Sequence, residues 1–351
     1  MNTLALGRTP YRVPRLSLGT TTFGREIDEA ACRDLLDYAL DQGMNLLDTA
    51  EAYGGGNSRE YRRKVLKIDD IREVSGEMHS SENIIGRWMA ERKCRDRIII
   101  CTKCSTGGSP AQVKAALEGS LSRLRTDYVD IYMLHRPFPA TPIRETLEAL
   151  TAEVKAGRIR TLGCSNFSAE LLREATETAG ALGLSRFEST QPPFNLADAA
   201  ARDELLPYCQ QENIATITYS PLAAGFLAGK YSPGSAIPKG TRFDVVPGHI
   251  DVYFNERSFH VVERLRQLSA ETGRSLVDLA MAWVLQQPGV TSVLVGARHR
   301  GQLDNALAAL ARPIDQALND RMTEWLYEAF GPFPRLTALA GAINHPRFKR
   351  A

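Results

Sequence analysis

The chain has 351 residues, of which 43% are hydrophobic, and a formal net charge of +2. This length and composition are sufficient for a sizeable core, and α/β barrels of about 250 residues or more occur as single domains. The small net charge argues against nucleic-acid binding. No signal-peptide pattern and no uncharged apolar run of about 18–20 residues occur, so we predict a cytoplasmic protein without a membrane span.

Short apolar runs alternate with amphipathic stretches along most of the chain. The first predicted element is a hairpin, with strands at 3–6 and 11–13 around a turn at 7–9. The strands predicted after it are Leu16–Gly19, Asn45–Asp48, Ile98–Thr102, Val129–His135, Ile159–Cys164, Arg186–Gln191, Ile214–Tyr219 and Ser292–Val295. The predicted helices include Ile27–Gln42, Ala111–Leu124, Arg144–Ala156, Ala169–Ala179 and Asp198–Glu212.

Eight strands separated by helices predict an α/β fold, and this number favours closure into a (β/α)8 or TIM barrel over an open sheet. An open sheet that binds a dinucleotide would carry a Gly-x-Gly-x-x-Gly turn after an early strand, and none occurs. We therefore interpret residues 1–351 as a single barrel domain.

Three segments depart from this alternation. A charged insertion at 59–80 and a Gly/Pro-rich loop at 220–254 both follow strand ends, so both are expected near the active face. The tail at 331–351 has no clear period and is predicted to be irregular. Apolar positions in the insertion recur at near-helical spacing, which predicts a lid that docks on the barrel through them. These positions are Val65, Leu66, Ile68, Ile71 and Val74.

The six cysteines show no disulfide or metal-site spacing. Cys101 and Cys104 form a C-x-x-C pair, but residues three apart on a strand point to opposite faces. Buried, reduced thiols are favoured over a redox or zinc site, and we expect no bound metal.

Four polar residues lie at or just after the C-terminal ends of predicted strands: Asp48, Tyr53, Lys103 and His135. Each alone is more often structural than catalytic, but barrel enzymes build their active sites at this end of the strands. A Lys103 ammonium would lower the pKa of Tyr53, and Asp48 would keep that lysine charged. His135 could orient a substrate oxygen. This set suits proton donation to a carbonyl oxygen while hydride reaches the carbon.

At this point the sequence resembles the aldo-keto reductase superfamily, in its bacterial-type branch, over nearly the whole chain. The similar segments are NLLDTAEAYGGGNS at 45–58, IIICTK at 98–103, DYVDIYMLHRP at 127–137, RIRTLGCSNF at 158–167, YSPLAAGFLAGKY at 219–231 and VGARHRGQLDN at 295–305. The resemblance implies a TIM barrel that binds NADP(H), with Tyr53 as general acid. Arg136 after His135 fits the branches that act on sugar-derived or xenobiotic carbonyls.

The same resemblance implies the cofactor site. Ser165, Asn166 and Gln191 would hold the carboxamide, and Tyr219 would stack on the nicotinamide. The loop from 220 to 229 would wrap the pyrophosphate, with Gly225 and Gly229 allowing close approach. Arg298 would pair with the 2′-phosphate. The remaining implied contacts are Ser220, Pro221, Leu222, Gly296, Gln302 and Asn305; Ala306 stands where the family usually has asparagine.

These features predict an NADPH-dependent oxidoreductase, active as a monomer or homo-oligomer, that reduces a small aldehyde or ketone. Two alternatives stay open. One is a cofactor-binding regulatory subunit that acts through a protein partner, as relatives in potassium-channel β-subunits do. The other is a sugar or lactol dehydrogenase that works in the oxidative direction.

Overall fold

The structure is a computed structural model that describes residues 2–333. The eight predicted strands form a closed parallel barrel in the order β10-β3-β4-β5-β6-β7-β8-β9. Its strands are β3 Leu16–Gly19, β4 Leu46–Asp48, β5 Ile99–Cys104, β6 Val129–Leu134, β7 Ile159–Ser165, β8 Phe187–Gln191, β9 Ala215–Thr218 and β10 Val290–Gly296. The TIM-barrel prediction is confirmed, and every predicted strand end lies within two residues of the observed one.

The N-terminal hairpin is also confirmed. Strands β1 Thr3–Ala5 and β2 Arg12–Pro14 pair antiparallel. Leu6 and Val13 are buried in the apolar cluster inside the barrel, which also contains Ile131 of β6. The hairpin therefore closes the N-terminal end of the barrel, and the opposite end is left for the site.

A ring of helices covers the barrel and forms with it the larger of the two apolar clusters. The helices are α1 Glu29–Asp41, α2 Gly55–Tyr61, α3 Ser80–Arg92, α4 Pro110–Leu124, α5 Ile143–Lys155, α6 Ala169–Leu182, α7 Leu205–Glu212, α8 Arg242–Val245, α9 Ile250–Tyr253, α10 Glu256–Thr272, α11 Leu276–Gln286, α12 Arg300–Ala311 and α13 Gln316–Glu328. Asp28 and Ser168 cap α1 and α6 by accepting backbone N–H groups, because these donors have no partner inside the helix.

One helix prediction is wrong at its start. The helix expected at 198–212 begins at Leu205 and is preceded by a short 3-10 turn at Ala200–Arg202. The Asn195 side chain accepts the N–H groups of Ala197 and Asp198 at 2.9 Å each. This side-chain turn competes with helix formation and delays it.

The cysteine prediction is confirmed with respect to burial, since all six thiols are buried. Cys101 belongs to the cluster inside the barrel and Cys104 to the cluster outside it. Within residues 2–333 no helix is both long and apolar enough to cross a membrane. Most of the tail predicted to be irregular, residues 334–351, lies outside the described residues.

Candidate active site

A cavity of about 820 Å³ opens at the C-terminal ends of the barrel strands. Fifteen of the seventeen predicted site residues line it: Asp48, Tyr53, His135, Ser165, Asn166, Gln191, Tyr219, Ser220, Pro221, Leu222, Gly225, Gly296, Arg298, Gln302 and Asn305. The other two are Lys103, which is fully buried beside Asp48, and Gly229, which lies between lining residues of the loop after β9. The fold thus brings together segments that are far apart in sequence.

Asp48 and Lys103 form a buried ion pair at the bottom of this cavity. Asp48 ends β4 and pairs in register with Cys101 of β5, so Lys103 extends just past it. The Lys103 ammonium donates to Asp48 Oδ1 at 2.6 Å and to the Thr49 carbonyl at 2.8 Å, and Gln191 Nε2 donates to Asp48 Oδ2 at 2.8 Å. Burial acts to lower the pKa of Lys103, but Asp48 and Tyr53 outweigh it and hold the pKa above its usual value. Lys103 is therefore charged at neutral pH.

Tyr53 lies above this pair, on the turn after β4. Its ring centroid is 4.9 Å from Lys103 Nζ and 5.5 Å from the centroid of His135. Burial raises the pKa of Tyr53 above 10, and the opposing effect of Lys103 is smaller. Lys103 lowers the pKa of Tyr53, as the sequence predicts, but burial of the ring disfavours its anion more than one ammonium stabilises it, so the net shift is upward. Tyr53 stays protonated at neutral pH and has a proton to donate.

His135 directly follows β6 and is held by a residue that the sequence analysis missed. Burial, Lys103 and Arg136 lower the pKa of His135 well below 6.5, so the imidazole is neutral. Its Nδ1 lies 2.6 Å from Ser105 Oγ. The Ser105 and Thr106 N–H groups donate to the Glu51 carboxylate, which fixes this loop. If Ser105 donates to Nδ1, the histidine proton lies on Nε2 and can be donated to a ligand oxygen.

The residues predicted to hold a carboxamide form one hydrogen-bonded group. Ser165 Oγ donates to the Gln191 carbonyl at 2.8 Å, and Asn166 Nδ2 donates to the His135 carbonyl at 2.9 Å. Tyr219 Oη donates to Asn166 Oδ1 at 2.8 Å. These contacts fix the orientation of the side chains at the cavity wall. Ser165, Asn166 and Gln191 all line the cavity, so an amide bound there would meet polar side chains that are already held in place.

The loop at 220–254 contains α8 and α9 and is more ordered than its composition predicts. Its first ten residues turn sharply: Gly225 and Gly229 adopt φ of 87° and 78°, and Ser220, Ala223 and Ala224 adopt φ of 55°, 50° and 57°. Such left-handed backbone is costly for residues other than glycine and is typical of ligand-binding loops. Aromatic side chains of the loop pack on one another in stacked and edge-on contacts and stabilise it. They include Phe226, Tyr231, Phe243 and Phe254.

Two cations meet at the end of the cavity formed by β10 and the 220–254 loop. Arg298 Nη1 donates to the Gly240 carbonyl at 2.8 Å, and its backbone N–H donates to Gln302 Oε1 at 2.7 Å. Partial burial and the Arg298 guanidinium lower the pKa of Lys230. Glu26 acts on the pKa of Lys230 in the opposite direction, but neither Lys230 nor Arg298 makes an ion pair within the described residues. Both side chains line the cavity, so an anion bound at this end would meet two positive charges.

The insertion lies beside the cavity but is held differently from the prediction. It consists of the end of α2, a π-helical turn at Arg62–Leu66 and an irregular stretch up to α3. Val65, Ile71 and Val74 are 48%, 70% and 55% exposed, so docking through an apolar face is wrong. The insertion is held instead by Arg62, which is buried against Glu73 and Asp70.

The insertion starts from tightly packed glycines rather than a flexible hinge. A Cβ at Gly55 would lie 2.0 Å from the Ser75 carbonyl oxygen and 2.3 Å from that of Gly24. The insertion also contacts the 220–254 loop, since Arg72 donates to the Asp244 carbonyl. Residues of the insertion and of α2 line the cavity: Asn57, Ser58, Glu60, Tyr61, Arg62, Lys64, Val65 and Leu66.

Several lining residues were missed by sequence reasoning. Ser105 could have been found, because it stands two positions after Lys103 at the same strand end. Lys230 follows Gly229 in a predicted loop and could also have been included. Arg25 and Glu26 carry no sequence signal, since they lie in a turn before α1 and reach the cavity only through the fold. Within residues 2–333, no cluster of three His, Cys, Asp or Glu side chains could hold a metal ion.

Comparison with known proteins gives matches over most of the chain. The sequence model of the aldo/keto reductase family matches residues 15–326. Aldo-keto reductase YhdN of Bacillus subtilis (strain 168) is 32% identical over 321 residues, 87% of each chain. An NADH-specific methylglyoxal reductase of Escherichia coli (strain K12) is 31% identical over 323 residues, 88% of this chain and 94% of that protein. A probable voltage-gated potassium channel subunit beta of Oryza sativa subsp. japonica is 32% identical over 322 residues, which are 87% of this chain and 90% of that protein.

Proposed function

Since the chain belongs to the aldo/keto reductase family, we propose that it is an NADPH-dependent carbonyl reductase in which Tyr53 is the general acid. Its substrate is an aldehyde or ketone, which is reduced to an alcohol. The observation that supports this best is the buried Lys103–Asp48 ion pair directly below the Tyr53 ring, with a neutral His135 beside it. Members of the family are oxidoreductases that use nicotinamide cofactors.

Ser165, Asn166 and Gln191 would hold the nicotinamide end of the cofactor, which when bound would supply hydride for the carbonyl carbon. Tyr53 donates its proton to the carbonyl oxygen as negative charge develops there. Lys103 stabilises the tyrosinate that is left, and Asp48 keeps Lys103 charged. His135 donates a hydrogen bond from Nε2 to the same oxygen, with Ser105 positioning the ring.

The cofactor assignment is supported by Lys230 and Arg298. Two cations that line the cavity and make no ion pair in the described part of the chain suit the 2′-phosphate that distinguishes NADPH from NADH. The turns at Gly225 and Gly229 suit the close backbone approach of a pyrophosphate. The wall of Ser165, Asn166 and Gln191 suits the carboxamide.

The activity is tested by following NADPH oxidation with a panel of generic aldehydes. Tyr53→Phe should lower kcat by about 10²–10⁴ because it removes only the transferred proton, while NADPH affinity stays nearly unchanged. Tyr128→Phe is a matched control, since Tyr128 packs against Arg95 and Arg160 away from the cavity. Equal loss of NADPH affinity and rate in Tyr53→Phe would contradict the assignment.

Cofactor preference is tested separately. Arg298→Ala should weaken NADPH binding by about ten- to a hundredfold and NADH binding much less, because a charge-assisted phosphate contact is lost. Arg300→Ala, which removes a surface guanidinium paired with Asp34, is the control. If the two cofactors weaken alike, or neither does, Arg298 is not the 2′-phosphate partner.

A second candidate function is suggested by the plant relative named as a potassium channel subunit beta. In that case the chain would bind the cofactor but act through a protein partner. The same aldehyde panel separates the two: NADPH binding without Tyr53-dependent turnover on any substrate would favour the regulatory role.

A further inference from the structure

Positive charge is concentrated in the cavity, although the whole chain carries only +2. Three carboxylates line the cavity, on Glu26, Asp48 and Glu60. The cationic side chains that line it are Arg25, Arg62, Lys64, Arg136, Lys230, Arg242 and Arg298. Such an excess attracts anions.

Four of these seven cations form ion pairs with carboxylates of the protein. Arg25 and Arg242 both pair with Glu26. On the insertion, Arg62 pairs with Glu73 and Asp70, and Lys64 pairs with Glu60. These four side chains therefore have structural partners and need no ligand.

Three lining cations make no ion pair within residues 2–333: Lys230, Arg298 and Arg136. Lys230 and Arg298 are the proposed partners of the cofactor 2′-phosphate. Arg136 is separate from them, because it directly follows His135 at the end of β6. Its guanidinium lies 5.6 Å from the centroid of the Phe138 ring, and its positive charge contributes to the lowered pKa of His135.

We propose that Arg136 binds an anionic group of the substrate, so that the preferred substrate is an aldehyde or ketone bearing a carboxylate or phosphate a few bonds from its carbonyl. This rests on the proposed function, because His135 and Tyr53 must hold the carbonyl for Arg136 to reach the far end of the same molecule. A guanidinium binds either anion through paired N–H groups.

The proposal is tested with pairs of substrates that differ in charge. The carboxylate pair is 4-carboxybenzaldehyde and its neutral methyl ester, methyl 4-formylbenzoate. The phosphate pair is glyceraldehyde 3-phosphate and glyceraldehyde. Each substrate is measured with wild type and Arg136→Gln, and the loss of kcat/KM is compared within each pair. This double comparison cancels the different intrinsic reactivities of the carbonyls.

Arg136→Gln should lower kcat/KM for the anionic member by about ten- to a hundredfold, mainly through KM, and for the neutral member by less than about threefold. Arg136→Lys should recover part of the loss because it keeps the charge. Arg63→Gln is the matched control, since Arg63 is exposed on the insertion and does not line the cavity. A loss confined to one pair identifies carboxylate or phosphate as the group bound.

Equal losses on charged and neutral members would overturn the proposal, because Arg136 would then act through His135 rather than on the substrate. The proposal would also be overturned if Arg63→Gln lowered kcat/KM for the anionic substrates as much as Arg136→Gln does. Positive charge anywhere on this surface would then be sufficient to attract the substrate. If Tyr53-dependent reduction occurs without these differences, the proposed function stands and this inference fails.

If no aldehyde is reduced at all, the proposed function fails and binding decides the role of Arg136. Calorimetric titration of 4-carboxybenzaldehyde and its methyl ester into the NADPH complex then replaces the rate assay. The carboxylate should bind wild type at least about tenfold more tightly than Arg136→Gln, and the ester should not distinguish them. Equal affinities would overturn the inference.

Discussion

Two buried ion pairs, Lys103–Asp48 at the cavity floor and Arg62–Glu73 in the insertion, are held in place for opposite reasons. The barrel fixes the first, because Asp48 and Lys103 extend from neighbouring strands whose hydrogen-bond register is set elsewhere. The Arg62–Glu73 pair itself holds the insertion in place, because the insertion around it contains no β-strand and few buried apolar side chains. The Lys103–Asp48 pair is held by the barrel and is therefore available for catalysis. The Arg62–Glu73 pair takes the place of an apolar core in the insertion and holds that segment together.

The largest effect should follow from breaking the pair at the floor. Lys103→Met should lower kcat by about 10²–10⁴, since the tyrosinate loses its counter-charge. It should also cost about 3–5 kcal/mol of unfolding free energy, because Asp48 stays buried without its counter-charge. Urea unfolding and single-turnover rates measure both. Lys114→Met, on the exposed side of α4, should change neither. A Lys103→Met protein with the unfolding free energy of the wild type would contradict the role of Lys103 in stabilising the buried Asp48 carboxylate.

Breaking the pair in the insertion should have a large but local effect. Arg62→Gln leaves the Glu73 carboxylate buried without its cation, a loss of about 3–5 kcal/mol to that segment. Trypsin should then cleave sooner at Arg63, Lys64 or Lys67, while the urea midpoint of the barrel changes little. KM should rise, since the segment lines the cavity.

The control for this variant is the double substitution Arg62→Gln with Glu73→Gln. It removes both charges and should recover part of the protease resistance. Unchanged cleavage in the single variant would show that other contacts hold the segment.

A smaller effect concerns pH. Folded His135 stays neutral well below pH 6.5, whereas the unfolded histidine takes up a proton near 6.5. The unfolded state therefore binds more protons below this pH, and stability falls by up to about 1.4 kcal/mol per pH unit as pH decreases. His135→Asn should reduce this slope in urea titrations between pH 7 and 5. His299→Asn, at an exposed position, should keep it; equal slopes for wild type and His135→Asn would contradict the neutral imidazole.

The smallest effect should come from the exposed apolar positions of the insertion. Ile71→Ser should change the unfolding free energy by no more than about 0.5 kcal/mol, because the side chain is already 70% exposed. Val74→Ser should behave alike. A loss above about 1 kcal/mol in dilute protein would mean that these side chains are buried in solution.

The contrast between the two regions also separates what could be predicted from what could not. The strand ends of Asp48, Lys103 and His135 follow from short apolar runs, because parallel strands in a barrel expose their C-terminal ends on one face. The insertion could not be predicted in the same way. Its apolar spacing suggested a docking face, yet nothing local indicates that Arg62 meets Glu73 eleven residues later in an irregular segment.

By itself the sequence determined the barrel and the hairpin, and strand-end position placed Asp48, Tyr53 and His135 at the cavity, since periodicity and strand ends are local properties. The other twelve predicted residues that line the cavity were implied by the family resemblance. Only the tertiary structure decided the net direction of the Tyr53 pKa, the contact of Ser105 with His135 and the place of Arg136 in the cavity wall, where it makes no ion pair within residues 2–333. These depend on burial and on the sum of charges across segments far apart in the chain. Electrostatic free energy is set by distance and surroundings in space, which residue order does not specify.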